Sequence, residues 1–204
     1  MNVLEIHEVS KQYGKTYALK SVSLTVSKGD VIFLTGSNGS GKTTLIKCIL
    51  DQIRYKGTIR VFTNDIGYVP EKVNLPDFLT IRGFLNELAH LRKWKDGGLI
   101  EAYLKKYHLD EANAKNIHAL SKGMRQKMVL IQAFMKDANL FIFDEPLNGL
   151  DEEMREVFFD DLKHLRKQKK TILIATHHPN MYSLSKKRVV EFENGELHEK
   201  FKDD

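Results

Sequence analysis

The amino-acid sequence predicts an α/β fold with an antiparallel β edge and an inserted helical subdomain. Three observations predict it. Apolar runs at Val31-Ile32-Phe33-Leu34, Leu140-Phe141-Ile142-Phe143 and Ile172-Leu173-Ile174-Ala175 are short and unbroken, and each leads into a polar loop, as buried strands do. Residues 3–9 and 19–26, which precede the first run, alternate apolar and polar side chains like half-exposed strands. Between residues 70 and 136 the apolar period changes from that of strands to that of helices.

Each element follows in chain order. After the two alternating strands, Lys28-Gly29-Asp30 makes a turn and residues 31–35 form the first buried strand. A helical run covers residues 45–50, and residues 57–62 and 66–69 are further short strands. Leu79, Phe84, Leu85, Leu88 and Leu91 then fall on one helical stripe, which ends before Asp96-Gly97-Gly98. A second helix covers residues 99–107 and a third opens at Ser121. Strand 139–143, helix 151–168, strand 171–175, a short helix and a hairpin turning at Asn194-Gly195 complete the chain. Residues 1–204 are thus expected to form one domain, with residues 1–69 and 137–204 as a core lobe and 70–136 as a helical subdomain.

Length and composition bound the function. A chain of 204 residues can bury one good core but hardly two. No apolar run approaches the roughly 18 residues that span a bilayer, and residues 1–9 pattern as a strand rather than a signal peptide, so the cytoplasm is the expected compartment. The single cysteine, Cys48, lies among Leu45, Ile46, Ile49 and Leu50, which marks it as a packed core thiol. The net charge of +5 suits several anionic partners. Its densest run, Lys163, Arg166, Lys167, Lys169 and Lys170, ends a helix that Asp151-Glu152-Glu153 begins, the distribution a helix dipole favours. No aromatic residues interleave that run, so no nucleic-acid partner is expected.

Chemistry enters at Gly36-Ser37-Asn38-Gly39-Ser40-Gly41-Lys42-Thr43, followed by Thr44. This is a complete GxxxxGK[ST] phosphate-binding loop between a strand and a helix, the core element of a P-loop NTPase. Its glycines let successive backbone N–H groups close around the β- and γ-phosphates, Lys42 neutralises phosphate charge, and the Thr43 hydroxyl can ligate Mg²⁺. The chain is therefore expected to bind a nucleoside triphosphate. Asp144 ends an apolar strand, where a carboxylate can hold Mg²⁺ through its waters, and Glu145 adds a second acid beside it.

Behind the phosphate loop come Leu120-Ser121-Lys122-Gly123-Met124, then Asp144-Glu145, then Thr176-His177. In that order they resemble the signature, Walker B and switch-histidine motifs of the ATPase subunits of ATP-binding cassette transporters, and the resemblance runs from Tyr13 to the last strand. It implies an ATP hydrolase in which Glu145 activates water, His177 stabilises the transition state from the side opposite the phosphate loop, and Tyr13 stacks on adenine. It also implies a head-to-tail dimer, with itself or a homologous cassette, in which Ser121, Lys122, Gly123 and Met124 grip the nucleotide of the partner. Asn148-Gly149-Leu150-Asp151 matches the loop that crosses the dimer axis. An integral membrane permease subunit is the further partner implied, with the chain peripheral on the inner face of the cell membrane.

Departures from the commonest family pattern narrow the expectation. The signature reads LSKGM rather than LSGGQ, and Glu71 stands where most members have the glutamine that meets the Mg²⁺ water shell. Both variants resemble those of exporters of drugs, antibiotics and peptides whose membrane subunits are separate polypeptides. The chain stops soon after its final hairpin, so no C-terminal regulatory domain is expected. The segment after Glu71, with Pro70 and Pro76 and the apolar Val73, Leu75 and Phe78, reads as a surface loop that docks the permease. A soluble cassette acting on DNA or ribosomes is the alternative; it needs a long coiled coil, zinc modules or a tandem cassette, none of which the sequence contains. An inactive nucleotide-binding subunit is disfavoured by Glu145 and His177.

Overall fold

A computed structural model describes residues 1–92, 98–184 and 187–200. The chain opens with strands β1 (Asn2–Tyr13) and β2 (Thr16–Ser27), which pair antiparallel. Both outrun the alternating segments of the sequence. Register shifts between Ile6 and Val9 and again before Gln12 break the alternation without ending the pairing, and Glu8 and Ser21 take positive φ near the irregularity. Strand β3 (Val31–Thr35) is buried throughout and delivers the phosphate loop to helix α1 (Lys42–Ile49). Strand β4 (Lys56–Val61) adds to β1, giving a three-stranded antiparallel sheet in the order β2-β1-β4. Strand β5 (Ile66–Val69) leaves for a second sheet.

Three helices follow: α2 (Ile81–Leu91), α3 (Leu99–Lys106) and α4 (Lys122–Phe134). The predicted stripe on α2 is corrected at both ends. Leu79 precedes the cap residue Thr80, and Leu91 is exposed at the last position, where the helix has run past the core it packs on. Of the predicted stop, Asp96 and Gly97 lie outside the described residues, while Gly98, with φ of 86°, caps α3. Strand β6 (Leu140–Asp144), helix α5 (Glu152–Lys167), strand β7 (Thr171–Ala175), a short 3₁₀ turn (Pro179–Met181) and the hairpin β8 (Arg188–Glu193) and β9 (Glu196–Lys200) complete the fold. The second sheet has the order β5-β6-β7-β3-β8-β9, parallel except for the final antiparallel pair.

Because successive strand residues face opposite sides, the second sheet divides the apolar interior. Ile32, Leu34, Ile142 and Leu173 face Leu45, Ile46 and Cys48 of α1 and the antiparallel sheet. Phe33, Phe141, Phe143 and Ile174 face the helices, where Tyr107, Phe134 and Phe158 complete an aromatic cluster with ring centroids 5.4 to 6.5 Å apart. Each phenylalanine so buried contributes roughly 1.5–3 kcal/mol. The helical segment is also tied to α5 through a buried polar contact. The Tyr107 hydroxyl donates to the Asp161 carboxylate at 2.7 Å, and Lys106 pairs with the other carboxylate oxygen. Burial, with Asp161 adding to it, pushes the Tyr107 phenol far above its usual range. Among the described residues, no helix is long and apolar enough to cross a membrane.

Candidate active site

The site forms where β3, β5, β6 and β7 end at their carboxyl edge, the usual place for ligands in open α/β sheets. Each strand delivers its residues by ending there. β3 runs into the glycine-rich loop, where Gly41 at φ of 119° is obligatory: a Cβ there would stand 2.5 Å from the Ala18 carbonyl oxygen. β5 leads to Glu71, β6 to Asp144 and Glu145, and β7 to Thr176 and His177. One cavity is lined jointly by loop residues 38–44 and by Glu71, Asp144 and Glu145. The structure thus brings together three distant stretches of chain: Asn38, Gly39, Ser40, Gly41, Lys42, Thr43 and Thr44; Glu71; and the adjacent Asp144 and Glu145.

Lys42 is buried and folds back on its own loop, donating to the carbonyl oxygens of Gly36 at 2.8 Å and Ser37 at 2.9 Å. Desolvation lowers its pKa, opposed by Glu145, Asp144 and Glu71. Asp144 is the most telling group. It is 1 % exposed and neither carboxylate oxygen has a hydrogen-bond partner. Burial pushes its pKa up to about 6; Thr43 and Lys42 pull it down, while Glu71 and Glu145 push it further up. The Thr43 hydroxyl is near enough to influence it but does not close a bond of good geometry. A buried, unsatisfied carboxylate beside a hydroxyl and two more acids fits a hard divalent cation with oxygen ligands, and Thr43, Asp144 and Glu71 can hold it.

The raised pKa gives a stability prediction with a definite sign. The folded state takes up a proton at Asp144 more readily than the unfolded chain, so ionising it destabilises the fold as pH rises from the usual 3.8 through about 6. In metal- and nucleotide-free protein, Asp144→Asn is expected to stabilise the fold at neutral pH by about 1 to 3 kcal/mol. The gain should vanish below the usual carboxylate pKa. Denaturant unfolding of both proteins across that range checks it, and a pH-independent difference counts against the buried charge.

Glu145 sits in the left-handed region at φ of 48°, its N–H held by the Ala175 carbonyl at 2.9 Å. Its Oε1 accepts the His177 backbone N–H at 3.1 Å and meets His177 Nδ1 at 2.9 Å. The carboxylate and imidazole are therefore one unit, and a second cavity joins His177 to Gly36 and Ser37. The His178 ring lies tilted against His177, with centroids 3.8 Å apart, and His178 donates its backbone N–H to Thr176 Oγ1.

The remaining predicted residues lie elsewhere. Ser121 caps α4, accepting from the Met124 N–H at 3.2 Å, and with Lys122, Gly123 and Met124 it lines neither cavity of its own chain. Asp151 caps α5 by accepting from the Met154 N–H at 2.9 Å, so its side chain is engaged in helix capping. Tyr13 ends β1, half-exposed, with the Lys11 ammonium 4.9 Å from its ring centre. Thr16, Tyr17, Lys20, Asn194 and Gly195 share a depression with loop residues 37–40. Sequence reading missed this grouping, because only the packing of β2 against the phosphate loop and the final hairpin shows which side of the first hairpin faces the loop. The surface reading of residues 70–79 is corrected in part: Val73 and Leu75 pack, partly buried, on the main core, and of the three apolar side chains only Phe78 is exposed, at 82 %.

Residues 19–148 match the family described as ABC transporter, so more than half of the chain is covered. The chain belongs to the ABC transporter family. It is 33% identical over 180 residues to a zinc import ATP-binding protein of Rickettsia bellii, spanning 86% of this chain and 76% of that protein. A manganese transport system ATP-binding protein of Halalkalibacterium halodurans is 30% identical over 191 residues, with the same coverage, 86% and 76%. Among solved structures, an ATP-binding subunit of an ABC transporter superposes with a TM-score of 0.86 at 25% identity, over 96% of this chain and 88% of that one. The cassette is thus an ATP-binding, ATP-hydrolysing domain with the α/β P-loop fold expected from its sequence.

Proposed function

We propose that this cassette powers a membrane transporter by hydrolysing Mg²⁺-ATP in a head-to-tail dimer, at the inner face of the membrane. The observation that carries the proposal is the joint cavity of the phosphate loop with Glu71, Asp144 and Glu145, while Ser121 and Gly123 stand outside it. Lys42 leaves its two loop carbonyls to meet the β- and γ-phosphates. Thr43, Asp144 and Glu71 would hold Mg²⁺, which would offset phosphate charge when bound. Glu145 orients the attacking water and accepts its proton, and His177, fixed by Glu145, faces the γ-phosphate. The capped N-terminus of α4 is an anion site without a phosphate in its own chain, which a second chain supplies. Measuring phosphate release against protein concentration tests this, because a dimer gives a specific activity that rises with concentration and a monomer gives a constant one.

Docking to the permease is assigned to the loop that carries Phe78. That ring is exposed on a segment otherwise pinned down, since Val73 and Leu75 are packed and Asp77 pairs with Arg125 of α4 at 3.0 Å. Phe78→Asp is expected to spare ATP binding and thermal stability but reduce recovery of the permease with the cassette by at least about tenfold, roughly 1.4 kcal/mol. Normal co-purification of that variant removes the loop from the docking surface.

Export of drugs, antibiotics or peptides is the direction we propose, carried by Glu71 and the LSKGM signature. A second reading, import of a divalent metal, is favoured by the names of the zinc and manganese relatives. Inside-out membrane vesicles containing the complex separate the two: ATP-driven accumulation of cargo supports export, whereas ATP-driven loss of preloaded Zn²⁺ or Mn²⁺ supports import.

A further inference from the structure

We infer that Gln126 is a positioning residue that couples the signature end of α4 to the Glu145 carboxylate of the same chain; the inference rests on the dimer reading above. Gln126 is 3 % exposed, on a helix whose next buried residues are Met128, Val129 and Leu130. A primary amide in such surroundings is costly unless it is bonded. Its Nε2 donates to the Pro146 carbonyl at 3.0 Å, one residue beyond Glu145. Three residues earlier on the same face of α4, Gly123 lies against Gly149, whose carbonyl oxygen would stand 2.7 Å from any Cβ at that position. The first turns of α4 therefore grip the loop after β6 at two points, Pro146 and Gly149.

That loop has little freedom to absorb a displacement. The Asn148 N–H donates to the Glu145 carbonyl at 3.1 Å and the Leu150 N–H to the Leu147 carbonyl at 3.2 Å. Glu145 itself is held at positive φ by its bond to Ala175. When an anion carried by a second chain engages Ser121 at the start of α4, the shift of the helix passes through Gln126 to the peptide beside Glu145. The carboxylate is turned as a consequence, so water activation waits for engagement of the dimer.

The test uses Gln126→Leu, which keeps the apolar packing and removes the donor, with Gln126→Met as a second variant should the first fold poorly. The expected result is a fall in kcat of about 10- to 100-fold with KM for ATP changed less than about threefold. ATP-dependent dimerisation, measured in a Glu145→Gln background, should be retained. In nucleotide-free protein the His177 ring NMR signals should shift, because Nδ1 of His177 lies 2.9 Å from Glu145 Oε1, while those of His7 and His198 stay in place. An unchanged kcat, or loss of dimerisation together with activity, overturns the inference. If wild-type protein fails to dimerise with ATP, the dimer reading falls, and the His177 signals still decide whether Gln126 controls Glu145.

Discussion

Glu145→Gln is expected to lower ATP turnover by about 10²- to 10⁴-fold, the range for loss of a general base, while ATP affinity stays within a few-fold. The substitution is nearly isosteric. Its amide oxygen can still accept the His177 backbone N–H that Glu145 Oε1 accepts at 3.1 Å, so the geometry around β6 and β7 survives. What is lost is the basicity. Because nucleotide still binds and is no longer consumed, the variant should accumulate as an ATP-dependent dimer in analytical ultracentrifugation. Turnover within about tenfold of wild type, a barrier change of only about 1.4 kcal/mol, excludes Glu145 as the base. A variant that remains monomeric at saturating ATP and Mg²⁺ excludes the sandwich for the isolated chain.

Lys42→Ala should weaken ATP binding by at least about 100-fold, near 3 kcal/mol. Two effects add. The variant loses the charge that meets the phosphates, and it loses the bonds from Nζ to the Gly36 and Ser37 carbonyls that shape the empty loop. Removal of the ammonium also leaves Glu71, Asp144 and Glu145 facing one another without a cation, which disfavours an anionic ligand further. Isothermal titration with a non-hydrolysable ATP analogue measures the loss. Affinity within about threefold of wild type, less than 0.7 kcal/mol, would remove the phosphate-loop assignment.

The sequence by itself determined the elements that local physics specifies. The glycine pattern from Gly36 to Thr43 is legible because a loop that wraps phosphate needs backbone conformations few residues tolerate, and Gly41 does take a positive φ. The buried strands β3, β6 and β7 are legible because a run of four apolar residues has few alternatives. Helix starts were equally readable, at Ser121 for α4 and Asp151 for α5, where the two side chains act as caps. Tertiary structure alone decided what depends on contacts between distant residues. The bulges that extend β1 and β2 leave no period to detect. Partial burial of Val73 and Leu75, and exposure of Leu91 and Phe78, follow from where a helix or loop meets the core. Placement of Thr16, Tyr17 and Lys20 beside the phosphate loop is set by the contact between the first hairpin and that loop. The bond from Gln126 to Pro146 crosses 20 residues of chain, so no local pattern records it. Sequence marks the residues whose own backbone or burial pattern constrains them; the convergence of Asp144 and Glu145 on one cavity, and the bond of His177 to Glu145, exist only once the strands that carry them lie side by side.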